Sequence, residues 1–203
     1  MGQLDTGRDT ASDSNRIGDN SIRWPSARIT HIGLNVTDLA RSVAFYRDAL
    51  GMKVMKSAEG RFATVSFGYQ HHDIALIPAA RDSKAGAPMA VGMNHFAVEV
   101  RDYEEFVRYY GRLSDAKVEI ERVIDHRTGM GIYFKDPDGN SLEVWCENLP
   151  DMPAAIAFGT TMSEEFEENH IGYPVDGAQL YRDYQALQAG QTIGDSRGLD
   201  LLE

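Results

Sequence analysis

The chain has 203 residues, 42% of them apolar, and a formal charge of −11 at pH 7. That is enough apolar material for one domain, or for two small modules sharing a core, and the acidic balance argues against attraction to nucleic acid or anionic membrane. No apolar run approaches the roughly 20 residues of a membrane span, and the single cysteine, Cys146, excludes an internal disulfide framework and reads as a buried thiol in a reducing cytoplasm.

Residues 1–28 are polar and rich in Gly, Ser and Asp, and they read as a flexible N-terminal arm with no export signal. Next, ITHIGLNV (29–36) alternates: Ile32, Leu34 and Val36 on one face, His31, Gly33 and Asn35 on the other. Thr37 is placed to cap a helix running to Leu50, with Leu39, Val43, Tyr46 and Leu50 at helical spacing and Gly51 to end it. Strand-like runs follow near 52–57, 61–68 and 72–78.

The order then recurs. MNHFAVEV (93–100) sets Phe96, Val98 and Val100 against His95, Ala97 and Glu99, so His95 takes the place that His31 held. Asp102 and Glu105 resemble a capping box for a helix with Tyr103, Phe106, Val107 and Tyr110 on its apolar face, ended by Gly111. Strands are predicted near 117–124, 130–135 and 140–147. Asp136-Pro137-Asp138-Gly139 makes a turn between the last two and brings Tyr133 beside Glu143.

Two βαβββ modules, 29–80 and 91–147, therefore form a paired domain over 29–147. The extension 148–203 contains acidic SEEFEEN (163–169) and a helix around 177–188, with Leu180, Tyr184 and Leu187 free to pack. It would dock on the body, act as a lid or make an oligomer contact, the chain being expected to form a homo-oligomer.

If two such modules pack about a pseudo-twofold axis, His31 and His95 converge beside the small residues Gly33 and Ala97. Glu143, between Leu142 and Val144, would be a costly buried carboxylate without a compensating cation. Two imidazoles and one carboxylate leave adjacent coordination positions open, which suits non-haem Fe(II). Of His71 and His72, alternation lets only one face the cavity, and His72 is the choice; His126 and Tyr133 flank the seventh strand.

HIGLNV, FYRDALGM, NHFAVEV and DPDGNSLEVW together resemble the vicinal oxygen chelate superfamily. HHDIAL (71–76), with Tyr133 ten residues before Glu143, is similar to the type I extradiol dioxygenases. That resemblance implies an α+β fold in which the two modules form an open, barrel-like metal cavity. It further implies His31, His95 and Glu143 as ligands of Fe(II), or alternatively Mn(II). His72 would be the acid/base near the dioxygen pocket, Tyr133 a hydrogen-bond partner of a substrate hydroxyl oxygen, and His126 a further substrate contact. The implied reactants are a small aromatic diol and O2, giving a hydroxymuconic semialdehyde. The other readings of the same scaffold are a glyoxalase-like lyase or epimerase, which commonly takes a fourth protein ligand, and a metal-free binding module.

Overall fold

The computed structural model describes residues 29–80, 93–149, 153, 169 and 171–195. The arm expected over 1–28 and the acidic stretch 163–168 lie outside the described residues. The elements in chain order are β1 (Ile32–Val36), α1 (Leu39–Asp48), β2 (Lys53–Ala58), β3 (Phe62–Ser66), β4 (Ile74–Pro78), β5 (Phe96–Val100), α2 (Tyr103–Asp115), β6 (Ile120–Asp125), β7 (Gly129–Lys135), β8 (Ser141–Glu147), β9 (Tyr173–Pro174) and α3 (Gly177–Gln188). The βαβββ order thus occurs twice, as its sequence pattern predicts. Among the described residues no helix is long and apolar enough to cross a membrane.

The strands form two open sheets and not one closed barrel: β1-β4-β3-β2 and β5-β8-β7-β6-β9. In each module the first strand runs parallel to the last, which places Gly33 beside Ala75 and Ala97 beside Glu143. Alternation assigns the faces. Leu34, Val36, Ala63, Val65, Ile74 and Leu76 are buried in the first sheet, while Gly33 and Asn35 remain exposed. Val144, Ile132 and Val123 make the matching buried row of the second sheet. Phe106, Val107 and Leu113 of α2 are wholly buried in the same core, each contributing about 1.5–3 kcal/mol.

Several local expectations are corrected. Asp38, not Thr37, caps α1, its carboxylate accepting from the Arg41 amide at 3.0 Å. Gly111 does not end α2, which continues to Asp115; a Cβ there would stand 2.0 Å from the Tyr184 ring, so the glycine admits that ring. His71 and His72 lie in the turn before β4 and not on the strand. The Asp102 cap is as expected, accepting from the Glu105 amide at 2.8 Å.

The α3 helix falls where its periodicity places it, with Leu180, Tyr184 and Leu187 buried. It docks on α2: the hydroxyls of Tyr181 and Tyr184 donate to the two carboxylate oxygens of Asp115, at 2.8 and 2.9 Å. The short β9, which has no strand signal in the sequence, adds to the edge of β6.

The modules are held together through the Asp136–Asn140 turn. Asp138 accepts from the Thr37 amide (3.1 Å) and hydroxyl, from the Ser42 hydroxyl (3.1 Å) and from Arg41 (2.8 Å). Buried Tyr46 donates to Asp136 at 2.9 Å. On the α2 side the modules are less closed. The Tyr109 hydroxyl donates to the Leu50 carbonyl at 3.0 Å, and next to it a cavity of about 860 Å³ separates β1 and the 67–73 turn from β5 and α2.

Candidate metal centre

β8 delivers Glu143 to the inner face of the second sheet, in a row running Ala97, Glu143, Tyr133, Arg122 across four strands. The carboxylate is only 3% exposed. One oxygen, Oε2, lies 3.1 Å from His95 Nε2, while Oε1 is buried with no hydrogen-bond partner. The strand below makes room for it: a Cβ on Gly131 would stand 2.2 Å from Oε1. An ionised carboxylate left in this way would be destabilising by itself.

His95 explains what the arrangement is short of. Its Nδ1 lies 2.8 Å from Asn94 Oδ1, an atom that only accepts. Nδ1 therefore donates to Asn94, and Nε2 is the ring atom that faces the carboxylate. Across the 3.1 Å between Nε2 and Oε2, an Nε2 proton would serve Oε2 and leave Oε1 unpaired, whereas a metal ion bound to both residues would take that proton's place. That separation matches adjacent donors about a divalent ion with bonds of about 2.2 Å. The residues fit a metal ion on this observation.

His31, one residue before β1, is the counterpart of His95. Its Nδ1 contacts the Thr30 hydroxyl at 3.1 Å, so in both modules the preceding residue holds Nδ1 and leaves Nε2 outward. His31 and His95 line the same cavity. The His31 ring centre is 4.4 Å from that of His72, so the turn before β4 delivers His72 to the expected ligand. The structure joins His31 to His72 and, separately, His95 to Glu143. Among the described residues no three His, Cys, Asp or Glu side chains already stand together as a metal cluster.

On the far side of Glu143, Tyr133 and His126 form a pair, the phenol oxygen 2.8 Å from His126 Nε2. Burial, then the hydrogen bond and charge of Glu143, push the Tyr133 phenol well above its ordinary range. Burial pushes the His126 imidazole down, against the opposing pull of Glu143. His72 is lowered too, first by lost hydration and then by His71 and His31.

Four nearby residues were not singled out from the sequence. Gly131 houses the carboxylate, Asn94 orients His95, the Trp145 ring lies tilted 5.7 Å from that of His126, and Arg122 lies over Tyr133 at 4.1 Å. The signal for two of them was present: Gly129, Gly131, Tyr133 on one strand, and Glu143, Trp145 on the next, share a face by alternation. In the first sheet the register places Ala75 where Glu143 stands in the second, so this position offers no second carboxylate.

Residues 28–144 match the family model of the glyoxalase/bleomycin resistance protein/dioxygenase superfamily. The chain is 25% identical over 166 residues to a biphenyl-2,3-diol 1,2-dioxygenase of Rhodococcus globerulus, covering 82% of this chain and 84% of that one. It is 30% identical over 125 residues to a metallothiol transferase of Staphylococcus haemolyticus, covering 61% and 86%. A solved glyoxalase/dioxygenase of Nostoc punctiforme superposes with a TM-score of 0.53 at 25% identity, over 64% of this chain and 99% of that one. By the match over more than half its length, with the doubled βαβββ architecture beneath it, this chain belongs to the glyoxalase/bleomycin resistance protein/dioxygenase superfamily.

Proposed function

We propose that this chain is a metal-dependent extradiol dioxygenase. It would insert both atoms of O2 into a catechol-type diol, with Fe(II), or alternatively Mn(II), held by His31, His95 and Glu143. The observation that carries the reading is the buried, half-satisfied Glu143 facing His95 Nε2, with the Tyr133–His126 pair beside it. The similarity to a biphenyl-2,3-diol dioxygenase over most of both chains supports it.

When bound, the ion supplies chelation of both diol oxygens, a position for dioxygen and electron exchange between them. The protein's own groups do the rest. Gly33, Ala75 and Ala97 leave space on the inner face. Tyr133, whose phenol keeps its proton and gives it in a hydrogen bond to His126 Nε2, accepts a hydrogen bond from a substrate hydroxyl and so fixes the ring. His126, neutral through burial, holds the tyrosine in place and accepts a proton relayed through it. His72, whose ring lies 4.4 Å from that of His31 on the first module, supplies the second proton carrier.

A lyase or epimerase on this scaffold would favour a fourth protein ligand, and the first module has Ala75 at the position matching Glu143. A metal-free binding module gives no reason to bury Glu143 with an unpartnered oxygen. Turnover under 18O2, with the product trapped at once, tests the proposal: two labelled atoms per ring-opened product support it, and an isomerised or conjugated product without label overturns it.

A further inference from the structure

The inner faces of the two sheets hold a matched pair of basic side chains that the reaction chemistry above does not use. In the first sheet the row Gly33, Ala75, Thr64 ends on Lys56; in the second the row Ala97, Glu143, Tyr133 ends on Arg122. Each of these residues follows a register shift at the same place in its module, between Val54 and Lys56 and between Ile120 and Arg122. A bulge there turns the next side chain onto the face it would otherwise leave. Both modules therefore break regular pairing at the point where a cation is delivered to the inner face.

Arg122 is the better placed of the two. Its guanidinium carbon lies 4.1 Å over the Tyr133 ring, and among the described residues it makes no ion pair, although the chain is strongly acidic. A guanidinium held over an aromatic face keeps N–H groups for a further partner, and its fork can take a carboxylate in two parallel hydrogen bonds. Both side chains are exposed, Lys56 at the end of the row that carries Ala75 and Arg122 at the end of the row that carries Tyr133.

We infer that Arg122 is a specificity residue and that the diol accepted here carries an anionic arm, a carboxylate attached to the ring. The inference rests on the dioxygenase reading for the diol and on the Tyr133–Arg122 stack for the arm. A ring held by Tyr133 at its hydroxyl end has Arg122 as its next neighbour along the row, so the arm and the diol are read by adjacent residues on adjacent strands.

The test is anaerobic calorimetry on the full chain, Fe(II)-loaded and metal-free, with a matched pair of catechols, one bearing a carboxymethyl arm and the other an ethyl group. The expected result for the loaded protein is a preference of about tenfold or more for the acidic member, the usual range for a charge-assisted contact. That preference should shrink as salt rises, vanish in Arg122→Met and be partly retained in Arg122→Lys. In the metal-free protein the acidic member should still bind more tightly than the neutral one, because the arm contact does not need the ion. Equal or better binding of the ethyl compound, a preference that survives Arg122→Met, or no binding of either compound would overturn the inference. Oxygen uptake is measured separately, so a bound acidic diol that consumes no oxygen counts against the reaction and not against Arg122.

Discussion

Glu143 Oε2 and His95 Nε2 face each other across 3.1 Å while Glu143 Oε1, on the same buried carboxylate, meets no donor. A proton on His95 would satisfy one side of this contact and leave the other empty, whereas a divalent ion satisfies both. Glu143→Gln should therefore act in opposite directions with and without metal. The metal-free protein should gain about 1–2 kcal/mol, the cost of an unsatisfied buried group, and the metal-induced rise in Tm should disappear. Thermal melts with and without added Fe(II) or Zn(II) read both effects.

Gly131→Ala places a Cβ 2.2 Å from Glu143 Oε1 without touching a ligand residue. The carboxylate must move, and we expect metal affinity to fall about 10–100-fold, as for loss of other groups that orient a ligand. Competitive titration against a chelator of known affinity is the measurement; unchanged affinity would mean that Oε1 is not a donor.

Tyr133→Phe removes the hydroxyl that lies 2.8 Å from His126 and leaves the ring under Arg122. Metal content should stay at the wild-type level while kcat falls about 10²–10⁴-fold, the range for a lost general acid–base partner. His72→Phe should likewise keep the metal and lose most ring cleavage; normal turnover in that variant would remove His72 from the mechanism.

Asp138 joins the modules from the second to the first. Burial raises its carboxyl pKa, but the Thr37 hydroxyl and amide, the Ser42 hydroxyl and Arg41 outweigh that and hold it below the usual range. A carboxyl depressed in the folded state contributes stability that is present above its unfolded pKa of about 3.9 and lost as pH falls through the lower folded value. We expect Tm to drop more steeply below about pH 4 in the wild type than in Asp138→Asn, and Asp138→Ala to cost about 2 kcal/mol at pH 7.

The doubled unit was legible because both modules repeat the same period-2 strand and capped helix, and because His31 and His95 hold the same place in each. Helix α3 was legible for a similar reason: Leu180, Tyr184 and Leu187 are spaced for one face. What the sequence hid was tertiary. Thr37 looks like a cap, yet its hydroxyl donates to Asp138 across 101 positions and Asp38 does the capping. Gly111 looks like a helix end, yet it serves the Tyr184 ring of a helix about 70 residues on. Arg122 was invisible because the bulge before it breaks the alternation by which faces are assigned.

The most direct measurement is oxygen uptake by protein reconstituted anaerobically with Fe(II) and then given air and a panel of catechols, with the yellow absorbance of ring-opened semialdehydes followed together. We expect one O2 consumed per diol and a yellow product, both lost in His31→Ala, His95→Ala and Glu143→Gln. Stoichiometric iron bound at those three residues, with neither uptake nor colour across the panel, would contradict the dioxygenase assignment.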